Sequence, residues 1–98
     1  MDIDWDENKR RANIDKHQVD IVEAALIFEN WVLTIADERF DYGEQRYRSI
    51  GYVGHTCYVL IHAERTSVMR LISAWKGGRR DQRKYQEGYA GRNPGNER

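Results

Sequence analysis

The stretch RYRSIGYVGHTCYVLIHAERTSVMRLISAWK, residues 46–76, decides the fold. Arg46 to Val53 and Thr56 to Ala63 flank Gly54-His55, which fits a two-residue hairpin turn with glycine first. Ser67 to Ala74 reads as a third strand, after a turn near Arg65. Tyr58-Val59-Leu60-Ile61 is apolar on both faces, which places its strand in the middle of a sheet. Upstream, Val32-Leu33-Thr34-Ile35 predicts another strand, followed by a charged loop from Asp37 to Gly43. Ile3 and Trp5 alternate with acids and give a short strand signal at the start.

Helices surround this core. Asp4 and Glu7 have the spacing of an N-cap and its N3 partner, and Asp6 to about His17 reads as a polar helix. Asp20 before Glu23 opens a second helix, about 20–29, whose apolar periodicity puts Leu26 and Phe28 on the core face. Gly77-Gly78 precedes a basic helix, Arg79 to Glu87, with Tyr85 and Tyr89 to dock it. The expected fold is α+β: two N-terminal helices packed on an antiparallel sheet of about four strands, then a C-terminal helix. One domain over residues 1–89 and a disordered tail over 90–98 complete the expected organisation.

Composition narrows the class. No apolar run approaches the ~20 residues of a membrane span, and Met1-Asp2-Ile3-Asp4 is no secretory signal. A single cysteine, Cys57, excludes a disulfide framework and a multi-cysteine metal site, so the expected compartment is the reducing cytoplasm. With no Gly-rich phosphate loop, no HExxH and no Cys/His ligand set, neither a metal nor a cofactor is expected. The net charge of zero hides a division. Residues 1–41 hold eleven acidic and five basic side chains, and residues 42–98 hold five acidic and eleven basic. The cationic half suits phosphate or an acidic partner, unless the two halves fold together and neutralise.

Three clusters carry the candidate chemistry. Lys9, Asn13, Lys16 and His17 share one helical face, suited to phosphate contact or simply to water. His62, Arg70 and Lys76 lie on the strands, where the turn after Ala63 decides whether they meet. A three-residue turn puts His62 and Arg70 on one face, and a two- or four-residue turn separates them. Arg79-Arg80 and Arg83-Lys84 repel one another at i,i+4 spacing unless an anion or acidic surface lies opposite.

The chain also resembles a known family. Trp5-Asp6-Glu7-Asn8-Lys9, Asn13, Lys16-His17 and Glu23-Ala24-Ala25 are similar to the opening of BrnT-type toxins. The likeness continues through Asp37-Glu38-Arg39, Asp41-Tyr42-Gly43-Glu44, Arg46-Tyr47, Ile50-Gly51 and Ile72-Ser73-Ala74 to Lys76, Arg79-Arg80 and Tyr85. It implies a RelE-like fold and the toxin of a type II toxin–antitoxin pair, an endoribonuclease that stops translation and growth. A ribbon-helix-helix antitoxin would neutralise it, in a 2:2 heterotetramer that reaches operator DNA only through the antitoxin.

On that reading a metal-independent attack of a ribose 2′-hydroxyl needs a proton-transfer group, His62 or Glu44, and phosphate stabilisers, Arg70 and Lys76. Lys9, Lys16, Arg46 and Arg79 are the candidate RNA contacts, and Arg80 and Arg83 the candidate antitoxin contacts. One departure bears on activity. Trp75 follows Ser73-Ala74 where relatives usually carry arginine, and Phe40 stands where they are often basic. An attenuated ribonuclease is therefore expected, and the competing reading is a degenerate module that only binds its antitoxin and adjusts operon regulation.

Overall fold

The computed structural model describes residues 2–92. The chain runs β1 (Asp2–Trp5), α1 (Glu7–His17), α2 (Ile21–Ala24) continuing as a 3-10 helix (Ala25–Glu29), β2 (Leu33–Ala36), β3 (Arg46–Val53), β4 (Thr56–Arg65), β5 (Val68–Lys76) and α3 (Arg79–Gly91). The class is α+β, but the sheet has five strands and is mixed. Its order is β1-β5-β4-β3-β2, with β4 central as its two-sided apolar run requires. The fifth member is the short strand expected around Ile3 and Trp5, now β1, which adds parallel to β5 at the edge, Asp2 opposite Val68 and Trp5 opposite Leu71. An edge strand leaves backbone donors and acceptors open, and β1 fills that vacancy for four residues.

The sheet carries a core on each face. On one, Ile21, Ala24 and Ile27 pack over Leu60, Leu71 and Ala74. On the other, Tyr85 of α3 lies with Ile50, Cys57 and Val59, and its hydroxyl donates to Trp31 O at 3.0 Å. These are called here the α2 face and the α3 face. The second helix differs from its periodic reading. Its α-helical part ends at Ala24, and the tighter 3-10 turn rotates Ile27 inward, leaving Leu26 45% exposed and Phe28 only partly buried. Gly51 makes that packing possible, because a Cβ there would lie 2.9 Å from Ile27 Cβ. Helix α3 is longer than expected, so Ala90 and Gly91 are helical, while residues 93–98 of the expected tail lie outside the described residues.

Helix α1 is capped by Asp6, whose carboxylate accepts from Asn8 N at 2.8 Å and Lys9 N at 3.3 Å, while Asp4 belongs to β1. The helix has no apolar stripe, and its buried residue is an asparagine, Asn13, at 6% exposure. Asn13 Nδ2 donates to Val19 O at 2.7 Å and Ala74 O at 2.9 Å, and Ala74 N donates to Asn13 Oδ1 at 3.1 Å. The side-chain amide thus completes the edge of β5 beyond the reach of β1, as another strand would. A second polar tie joins Arg10 to Asp20 by two hydrogen bonds, 2.9 and 2.8 Å.

Replacing Asn13 by Ala strands buried backbone groups at Val19 and Ala74, and should cost about 2–3 kcal/mol in urea unfolding. Asn13→Asp should cost at least as much, since a carboxylate would face two carbonyl oxygens. A loss below about 0.5 kcal/mol for both variants would show that α1 is held by other means.

Candidate functional site

Where α1 rests on β5, a cleft of about 590 Å³ opens between them. Lys9, Lys16 and His17 line it from α1, Ile72, Ser73 and Trp75 from β5, and Arg39 from the loop after β2. No carboxylate is among the lining residues. The local sequence explains each position. Lys9, Asn13, Lys16 and His17 follow helical spacing, so fixing Asn13 to Ala74 turns Lys9, Lys16 and His17 along β5. Ile72 is the extra residue of a bulge, because Ile61 pairs with Ser73 and His62 with Leu71. Bulges re-aim side chains, and this one sits at the cleft wall.

Trp75 forms the aromatic wall. Its ring lies 5.9 Å from that of His17, and the Arg39 guanidinium stands 5.7 Å from its centroid. Arg39 is held there by Asp37, buried beneath it, with Nε to Oδ1 at 2.8 Å and Nη2 to Oδ2 at 3.0 Å. The Arg39 hydrogen bonds hold the Asp37 carboxyl below the ordinary range, so the pair stays ionic. The α3 face continues the cationic surface away from the cleft. In register, Arg48 stands across Ile61 from Ser73, and Arg46 across Ala63 from Arg70. The buried Arg48 Nε has no hydrogen-bond partner among the described residues.

The sequence-predicted residues divide accordingly. Lys9 and Lys16 are in the cleft. Arg46 and Arg70 share the adjoining face, Arg46 over the Tyr42 ring at 4.1 Å and Arg70 paired with Asp4 at 3.3 Å. The β4–β5 turn is the two-residue Thr66-Ser67, both at positive φ, so His62 and Arg70 fall on opposite faces. His62 is instead a core residue on the α2 face, 6% exposed, bonded to Ser49 Oγ at 2.8 Å and set against the Phe28 and Tyr47 rings. That burial removes it from any substrate in solvent. Lys76, one step past Trp75, alternates to the other side of the strand and does not line the cleft. Glu44 is gripped by Arg65 at 2.9 and 2.8 Å and by Arg46 at 3.3 Å, which lower its pKa and make it a poor proton acceptor. On α3, Arg79, Arg80 and Arg83 are exposed, and none of them lines the cleft.

Sequence reasoning passed over Arg39 and Arg48 as site residues. Arg48 was within reach, since it lies two residues from Arg46 and must share its face. Arg39 carried no such signal, because a loop and not a period brings it to Trp75.

Cations gathered around an aromatic ring on an α+β sheet equip a protein to hold a polyanionic chain. The chain matches the family model described as ribonuclease toxin, BrnT, of type II toxin-antitoxin system, over residues 5–81, and belongs to that family. The match covers every lining residue of the cleft. No curated protein matches the chain. Among the described residues no helix is long and apolar enough to cross a membrane.

The buried imidazole leaves a mark on stability. Desolvation pushes the His62 pKa from 6.5 down to about 4. Between those values the unfolded chain binds more protons than the folded one. Stability should therefore be complete above pH 6.5 and fall as pH drops towards 4, by up to about 3 kcal/mol. The carboxylates lowered by arginine, Asp20 by Arg10 and Asp37 by Arg39, add their losses only as pH falls through and below their ordinary 3.8. Urea unfolding from pH 4 to 7 checks this: the upper part of the slope should vanish in His62→Gln, and its persistence would assign it elsewhere.

Proposed function

We propose that this chain cuts RNA in the cleft between α1 and β5, by attack of a ribose 2′-hydroxyl on the adjacent phosphorus. The O2′–P bond forms, the P–O5′ bond breaks, and a 2′,3′-cyclic phosphate and a 5′-hydroxyl result. The observation that carries this reading is the cleft itself, lined by Lys9, Lys16, His17 and Arg39 and free of carboxylates, in a member of a ribonuclease toxin family. Such a reaction needs a base for the 2′ proton, an acid for the 5′ oxygen and positive charge near the phosphorane. His17, the imidazole in the cleft, is the proton-transfer group in this proposal. Lys9, Lys16 and Arg39 hold the phosphate charge, and Arg46, Arg48 and Arg70 guide the flanking backbone across the sheet. No step is routed through a metal ion.

Trp75 fits the same scheme as a platform on which a base stacks beside the scissile phosphate. Arg39 over its ring brings a guanidinium to the place where relatives usually carry their arginine, which favours a working enzyme over a degenerate one. Neutralisation by a ribbon-helix-helix antitoxin in a 2:2 assembly, with operator DNA bound through the antitoxin alone, belongs to this proposal too, and the cytoplasm is where it would act.

Cleavage of a labelled RNA, followed by detection of the cyclic phosphate, tests the reading. Arg39→Ala with Lys16→Ala should lower the rate about 10²-fold or more, the size attached to removing preorganised charge stabilisers. EDTA should leave the rate unchanged. Equal cleavage by the double variant, or a strict requirement for magnesium, would refute the mechanism. Trp75→Arg separates the competing readings: no cleavage by the natural chain and strong cleavage by this variant would mark the natural chain as a degenerate module.

A further inference from the structure

The α2 face carries a second concavity, on the opposite side of the sheet from the cleft. It measures about 380 Å³, with Leu71 at its floor, Ile3 and Trp5 of β1 on one wall and Leu26 and Phe28 on the other. Ile3 is 40% and Trp5 36% exposed, so apolar surface is open to water on both walls. Glu29 is the charged residue in the lining, and no lysine or arginine lines it. The Trp5 indole N–H already donates to Glu7 at 3.1 Å, so few polar groups converge here as a small-molecule site requires.

Charge gives the groove its direction. Glu23, Leu26 and Glu29 stand at three-residue intervals, an exposed apolar side chain between two exposed carboxylates. Residues 26 and 29 lie in the 3-10 helix, where that interval stacks them on one ridge. Neither Glu23 nor Glu29 forms an ion pair among the described residues, in contrast to Glu7, Asp20, Asp37 and Glu44.

We infer that this groove is the docking site of the inhibitory protein partner, and that it takes an amphipathic helix with leucine-like anchors on one face and lysine or arginine beside them. The inference rests on the reading of the chain as a toxin held by an antitoxin. Two apolar walls over an apolar floor suit the i, i+3, i+4 anchors of a helix, and the unpaired rim carboxylates suit basic flanks. Apart from Leu71 at its floor, the groove is lined by the acidic half of the chain, and neither Arg80 nor Arg83 lines it, which places the grip on β1 and the second helix and not on α3. The groove and the cleft occupy opposite sheet faces, so the helix anchors the partner and a further segment of the partner must cross the β1 edge to reach the cleft.

The probe is a fluorescent amphipathic peptide of about 14 residues built from Leu and Lys, long enough to form a helix on a surface, with a Leu/Glu peptide as control. Anisotropy titration of the full chain should show the Leu/Lys peptide binding at least tenfold more tightly than the control. Leu26→Asp should weaken it tenfold or more, the loss expected for one buried anchor. Glu23→Lys with Glu29→Lys should weaken it several-fold, and by less at high salt. Leu26 is exposed, so its substitution leaves the core intact, and RNA cleavage by Leu26→Asp should match the natural chain.

Unchanged binding by Leu26→Asp, or equal affinity for the Leu/Glu peptide, would overturn the assignment. So would a dimer in sedimentation that Leu26→Asp splits, because the groove would then belong to a second copy. If the natural chain cuts no RNA, the ribonuclease reading fails alone and the peptide titrations still decide the groove.

Discussion

One carboxamide holds the architecture of the site. Helix α1 has almost no apolar surface to bury, so the hydrophobic effect cannot place it. Its position follows from Asn13, whose amide donates to one carbonyl and accepts from one N–H of Ala74, and also reaches Val19 O. These groups are buried, where a hydrogen bond is electrostatically strong and its absence costly. The same contact finishes the sheet edge that β1 leaves uncovered and aims Lys9, Lys16 and His17 at Trp75. A polar bond thus does for the helix what an apolar stripe does elsewhere, and adds direction, which apolar contact lacks.

The two faces of the sheet divide the charge seen in the sequence. The −6 and +6 halves do not fold onto each other wholesale. Local pairs, such as Arg10 with Asp20 and Arg65 with Glu44, neutralise part of each. The charge is also sorted by side: Arg46, Arg48 and Arg70 lie on the α3 face, two of them paired with Glu44 and Asp4, and the unpaired Glu23 and Glu29 stand beside apolar side chains on the α2 face. A sheet with alternating side chains makes such sorting automatic, because one strand feeds both faces.

Much of this was legible in the sequence, and the limits were physical. Strands β3 and β4 and their Gly54 turn follow from alternation and one glycine. The centrality of β4 follows from Tyr58 to Ile61. The relation of His62 to Arg70 could not be read, because it hangs on the length of one turn. That turn, Thr66-Ser67, holds two non-glycine residues at positive φ and carries no glycine signal. The bulge at Ile72 then shifts the register once more. Helix 2 deceived for a related reason: a change from 3.6 to 3 residues per turn moved Leu26 out and Ile27 in. The parallel pairing of β1 and the approach of Arg39 to Trp75 are long-range events with no periodic trace. The helical face of Lys9, Lys16 and His17 was visible throughout; its importance came from Asn13.

The span of that clamp also sets a schedule for biosynthesis. Asn13 and Ala74 are 61 residues apart, and β1 likewise waits for β5. At about 5–20 residues per second, translation takes roughly 3–12 s to supply the second half of the contact after the first. Until then the N-terminal segment is a lone polar helix and a stray strand, with no cleft. The cleft therefore takes shape only after Ala74 has been made, as a late product of a contact whose first half came early.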